Sequence, residues 1–138
     1  MPNFKDLQDA PFVDGGRDPV TGLDCWGLFR LAMARYGHDV PDFKVSAFAS
    51  NEIGATVTVE LMGGNWNPIE KPYPGCAVLM ALDPYAPGVI QHFGVYTGAD
   101  GCKFLHTLEK TGPILSPVNQ PPWSRIIKGF CEWMPAKT

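Results

Sequence analysis

Apolar positions follow two different rhythms along this chain. Between residues 22 and 37, Trp26, Phe29 and Met33 recur at spacings of three and four, and Leu28 and Ala32 fill the same side. That spacing predicts an amphipathic helix with one buried stripe. Asp24 stands where an N-cap carboxylate would accept from the unpaired amides of the first turn, and Gly37 supplies the stop. Arg30 and Arg35 fall off the stripe. From residue 76 onward the rhythm changes. Residues 76–82 form a continuous apolar run, as in a buried central strand. Residues 90–97 and 103–108 predict two more strands, joined by a tight turn at Ala99-Asp100-Gly101. Residues 114–118 predict a fourth strand, Pro121-Pro122-Trp123 a corner, and residues 126–134 the last strand.

The remaining segments carry weaker patterns. Residues 1–10 predict a short helix held by Phe4 and Leu7, ended by Pro11, with residues 11–19 as a loop marked by Gly15-Gly16 and Asp18-Pro19. Residues 38–48 read as irregular, broken at Pro41. Residues 51–62 are ambiguous. Thr56-Val57-Thr58-Val59 favours strand, whereas Ile53, Val57 and Leu61 repeat every four residues and favour helix, which we adopt. Gly63-Gly64 ends it, and residues 66–74 read as a connecting loop. Helices followed by an antiparallel meander define an α+β chain, and residues 1–138 form a single domain.

Composition narrows the classes of function. A net charge of −3 with no Lys/Arg run argues against a nucleic-acid surface. No apolar run reaches membrane-spanning length, so no membrane partner is expected. The first residues lack the basic and apolar regions of a signal peptide, so synthesis in the cytoplasm is expected. Cys25, Cys76, Cys102 and Cys131 are widely and irregularly spaced, with no Cys-x-x-Cys pair. Free thiols are therefore expected, rather than a disulfide framework or a structural zinc.

Cys25 falls in the first turn of the predicted helix. There the dipole and free amides favour a thiolate, the reactive form, although a lone Cys at this place can equally be a small core residue. His38 follows the helix stop and reads as an exposed loop residue. His92 and His106 lie on neighbouring predicted strands. Pairing across the turn at Asp100 sets positions near 93 and 105 roughly opposite each other, which brings the two imidazoles within hydrogen-bond reach on one sheet face. Two such histidines could be satisfied core residues. With Cys25 they also fit a set of roles: a thiol nucleophile, an imidazole base, and a third polar group that orients the base. A helix N-terminus packed against a sheet edge would present Cys25 to His92, with His106 behind it.

These residues carry a resemblance. Asp24-Cys25-Trp26-Gly27-Leu28 resembles the Asp-Cys-Ser-Gly-Leu motif of the NlpC family of papain-like cysteine peptidases. Phe12-Val13-Asp14-Gly15-Gly16 is similar to that family's Tyr-x-Trp-Gly-Gly loop, His92-Phe93-Gly94-Val95-Tyr96 to its His-Val-Gly-Ile-Tyr strand, and Phe104-Leu105-His106 to its Phe-Ile-His. The matches occur in family order over nearly the whole chain. Trp26 and the approach from Gly16 to Pro19 resemble a subgroup found in phage and prophage tail-tip proteins.

The resemblance implies a papain-like fold, with the nucleophile helix packed on a mostly antiparallel sheet of five or six strands. It implies Cys25 as nucleophile, His92 as base and His106 orienting His92, with the Cys25 amide helping to hold the oxyanion. The implied substrate is a peptidoglycan stem peptide, cut between D-glutamate and a diamino acid, with no cofactor or metal. Work at the cell wall from a phage tail would make tail-tip proteins its partners. Phe12 replaces a Tyr, Trp26 a Ser, Gln91 a small residue and Cys76 an Asp. Asp24, Trp26, Phe12 and Gln91 are thus the candidate substrate contacts. The alternatives are a catalytically idle tail-assembly protein, an amidase or acyltransferase using the same groups, and a metal module built on His92, His106 and a cysteine, which the ligand spacing disfavours.

Overall fold

The computed structural model describes residues 2–43, 46 and 50–135, with residues 50 and 51 described in backbone only. Its helices are α1 (Lys5–Gln8), α2 (Cys25–Arg35), α3 (Ser50–Met62) and α4 (Trp123–Ile126). Its strands are β1 (Arg17–Asp18), β2 (Gly22–Leu23), β3 (Trp66–Ile69), β4 (Ala77–Met80), β5 (His92–Ala99), β6 (Lys103–Leu108), β7 (Gly112–Pro117) and β8 (Ile127–Trp133). β1 and β2 pair as a small hairpin, and the other six form one antiparallel sheet in the order β3-β8-β4-β5-β6-β7. The architecture is α+β, as expected.

Because side chains alternate across a strand, each central strand serves two cores. Ala77, Phe93, Val95 and Leu105 face α2 and α3, where they meet Trp26, Leu28, Phe29, Met33, Ile53 and Val57. Val78, Met80, Tyr96 and Phe104 point to the other face, under Trp123 and Ile126 of α4. The apolar run at residues 76–82 has no polar alternation because β4 is buried on both faces, between β5 and β8.

Residues 51–62 are helical, as the four-residue repeat indicated. Residues 66–74 are not simply a loop. β3 forms an edge strand on β8, with Trp66 opposite Trp133 and Ile69 opposite Phe130. Pro68 lacks a ladder donor, which an edge tolerates and which hides the strand from pattern reading. The predicted first helix shrinks to one turn, β1 lies in the predicted 11–19 loop and pairs with β2 just before α2, and Trp123 opens a helical turn after the corner.

The β5–β6 turn has the expected chemistry. Asp100 and Gly101 take positive φ (51° and 83°), and Cys102 N donates to Ala99 O at 3.2 Å, which makes a type I′ turn. Its register differs from expectation. Ala99 pairs with Lys103, but a bulge follows, so Tyr96 pairs with Phe104 and Val95 with Leu105. Leu105 therefore faces Val95 rather than residue 93, and continuing the ladder sets Gly94 opposite His106. A slip of two residues keeps every side chain on its face.

Candidate active site

The start of α2 is tied down by one carboxylate. Asp24 Oδ1 accepts from Gly27 N at 2.8 Å and from Arg17 Nη1 at 2.7 Å, and Oδ2 accepts from Gly15 N at 2.9 Å. Gly27 is required here because a Cβ at that position would collide with the Gly16 carbonyl. This close approach seats the β1–β2 hairpin on the helix. The amides of Cys25 and Trp26 stay free of the helix ladder and turn toward the Cys25 sulfur.

Burial, with the Asp24 carboxylate second, pushes the Cys25 thiol up to about 12, against the pull of the two amides and Arg17. The resting sulfur is therefore a neutral thiol. The expected thiolate is disfavoured because Cys25 is only 7% exposed and the field of Asp24 acts on it more strongly than that of Arg17, and this outweighs the free amides of the helix end.

On the sheet, His92 opens β5 and His106 lies in β6. His92 Nε2 and His106 Nδ1 are 2.9 Å apart, and His106 Nε2 lies 2.8 Å from Ser116 Oγ. Gly94 makes room for this pairing, since a Cβ there would stand 3.1 Å from the His106 Cβ. His106 is further held between the rings of Phe104 (4.5 Å) and Trp123 (4.6 Å). Burial pushes His92 down to about 4, and burial with the neighbouring His92 pushes His106 to about 2, so both imidazoles are neutral at pH 7.

Neutral rings leave two consistent proton arrangements. In one, Ser116 donates to His106 and His106 donates to His92, which leaves a proton on His92 Nδ1. In the other, His106 donates to Ser116 Oγ and His92 Nε2–H donates to His106, which frees the His92 Nδ1 lone pair. Only the second arrangement leaves His92 able to accept a proton. Sequence reasoning did not pick out Ser116, although a polar residue within the apolar Ile114-Leu115 strand was a signal.

The two halves meet at one aromatic contact. Trp26 and Phe93 pack edge to face at 4.7 Å, and Cys25 and His92 are their chain neighbours. α2 packs against β5, an interior strand, rather than a sheet edge. Phe93 turns to the helix, and His92, the first residue of β5, is the register partner of Met80. Among the described residues no hydrogen bond joins Cys25 Sγ to His92.

A shallow pocket opens on Cys25, walled by Trp26, Phe43, Ile53, Val57 and Phe93. Trp26 is fixed by donation from Nε1 to Pro41 O at 3.1 Å. Asp24 also lines this pocket, with both carboxylate oxygens committed to protein donors. The other two candidate contacts are placed differently. Gln91 is buried and accepts from Asp83 N at 3.1 Å. Phe12 is half-buried and bridges to Leu23. His38 sits in a loop but is half-buried rather than exposed, and burial lowers its pKa. All four cysteines are free. Among the described residues, no cluster of His, Cys, Asp or Glu could hold a metal ion, and no helix is long and apolar enough to cross a membrane.

The fold is thus α+β, with a cysteine-bearing helix packed on an antiparallel sheet that carries paired histidines. The NlpC/P60 family model matches residues 9–132, and the chain belongs to that family, whose members are generally cysteine peptidases. No curated protein matches it. Among solved structures, it is similar to a Staphylococcus aureus Mu50 protein described as similar to lipoprotein, NLP/P60 family. That likeness has 17% identity and a TM-score of 0.63, covering 94% of this chain and 38% of that one. A Bacillus cereus ATCC 10987 NlpC/P60 family protein is 19% identical with a TM-score of 0.62, covering 98% of this chain and 41% of that one. The chain thus spans about two fifths of each of these proteins, and the likeness shows the fold.

Proposed function

We propose that this chain is a cysteine peptidase of bacterial cell-wall stem peptides, cutting the bond between D-glutamate and a diamino acid. The observation that carries this reading is the His92–His106–Ser116 hydrogen-bond chain, one residue removed from the Trp26–Phe93 contact beside Cys25. Cys25 is the nucleophile, His92 the base, and His106 the group that holds His92 in its productive tautomer.

The resting neutrality of both partners makes proton transfer part of the attack. As the Cys25 sulfur bonds to the scissile carbonyl carbon, its proton passes to His92 Nδ1. The carbonyl π electrons move to oxygen, where the Cys25 and Trp26 amides donate to the oxyanion. Collapse breaks the C–N bond, and the leaving nitrogen takes the proton from His92. Water then gives a proton to His92, attacks the thioester, and releases the carboxylic acid as the proton returns to sulfur. Trp26 and Phe93 form an apolar wall beside these steps. The proposed place of action is the cell wall, from a phage tail.

The test is incubation with purified L-Ala–γ-D-Glu–diaminopimelate stem peptides, read by mass spectrometry. Cleavage lost in Cys25→Ala and His92→Ala supports the reading, and cleavage retained in either variant overturns it. A second reading, a tail-assembly protein with an unused site, is favoured by the neutral Cys25 and the lack of a hydrogen bond to His92. It predicts no cleavage by the wild-type protein.

A further inference from the structure

The side chain joining the most separate parts of this site is Arg17, which takes no part in the proton transfers above. It is three-quarters buried, with 24% of its side chain exposed. Each of its nitrogens is used. Nη1 donates to Asp24 Oδ1 at 2.7 Å and to Gly16 O at 2.8 Å, Nε to Asp42 Oδ1 at 2.9 Å, and Nη2 to Phe43 O at 2.9 Å. One planar fork therefore spans the β1 hairpin, the cap of α2 and the 41–43 segment. That segment supplies Phe43 to the pocket and the Pro41 carbonyl to Trp26. A lysine has one nitrogen and could not make this set.

We propose that Arg17 is a positioning residue of this site: it neutralises the Asp24 carboxylate beside Cys25 and pins the 41–43 segment, so one guanidinium sets both the nucleophile and a wall of its pocket. This deepens the peptidase reading and rests on Cys25 being its nucleophile. Among the described residues, the charged groups that act on Cys25 are Asp24 and Arg17, in opposite directions. Asp42 faces the far side of the guanidinium and is shared with Arg30 Nη1 at 3.5 Å. Without Arg17, the Asp24 carboxylate would act on the sulfur uncompensated and the segment carrying Phe43 would lose two anchors.

The test is the pH profile of Cys25 alkylation by iodoacetamide, resolved by mass spectrometry from Cys76, Cys102 and Cys131, with thermal unfolding followed in parallel. Arg17→Gln should move the profile to higher pH and slow alkylation at pH 8 by about five- to tenfold, since a profile displaced by about one pH unit leaves roughly a tenth of the thiolate at a given pH. Adding Asp24→Asn should return the rate to within about twofold of wild type, an effect that a purely structural role would not produce. An unchanged profile in a folded Arg17→Gln protein overturns the proposal, as does failure of the second change to restore it. If Arg17→Gln does not fold, Asp24→Asn alone should move the profile to lower pH, and an unchanged profile again overturns it. Alkylation needs no peptide substrate. An Arg17 effect without wild-type cleavage would therefore sink the peptidase reading and leave the Arg17–Asp24 coupling standing.

Discussion

α2 and α3 face each other across the pocket and are held in very different ways. α2 buries Cys25, Trp26, Gly27, Leu28, Phe29, Ala32 and Met33, is capped by Asp24, and packs its aromatics on Phe93. α3 reaches the same core through Ile53 and Val57, while Val59 and Met62 stand 72% and 81% exposed. The Cys25 sulfur thus rides on the helix whose local signals and tertiary packing agree. The opposite wall is carried by a helix that the core grips at few points. For the proposed peptidase, a nucleophile on the more constrained element fixes the geometry of attack, and the less constrained one can vary with what is bound.

Each part of this contrast can be tested. The largest effect expected is on chemistry: Cys25→Ala should abolish stem-peptide cleavage while costing less than about 1 kcal/mol of stability, read by urea titration. Next, Phe29→Ala should destabilise by about 3–5 kcal/mol, because it empties a site shared by Trp26, Trp66 and Phe93. The buried histidines give the third effect. His92 is held near 4 in the folded chain against 6.5 when unfolded, so the unfolded state binds the extra proton. This contribution is fully present above pH 6.5 and is lost as pH falls. Between pH 7 and 4 the His92 share of the loss should be about 3 kcal/mol. Urea midpoints across this range should show that slope, and His92→Gln should flatten it. The smallest effect belongs to α3: Met62→Lys should change stability by less than about 0.5 kcal/mol. A loss comparable with that of Phe29→Ala would erase the difference between the helices.

The same contrast explains what could be read in the sequence. α2 was plain because cap, stripe and stop agree. α3 was ambiguous because β-branched residues conflict with a four-residue repeat, and only packing of Ile53 and Val57 on the core decides between them. β3 was missed because Pro68 and exposed polar positions hide an edge strand whose partner lies more than 60 residues away. At the site, the pairing of His92 with His106 was legible from the hairpin. The bulge, the partner of Ser116 and the reach of Arg17 to Asp42 and Phe43 depend on tertiary geometry, although Ser116 itself stands out as a polar residue in an apolar strand. The charge state of Cys25 was misjudged for a related reason: a dipole argument sees the helix end but not how deeply it is buried or that Asp24 lies beside it.

The alternation of side chains along β5 and β6 makes this hairpin a ratchet with steps of fixed parity. A slip of two keeps His92 and His106 on one face, and another pair added or removed between residues 96 and 103 would do the same. A single inserted residue accommodated by the ladder would turn His106 toward Val95 and away from its partner. Length variation in this hairpin should therefore survive selection in even increments, with odd ones absorbed in the turn or eliminated.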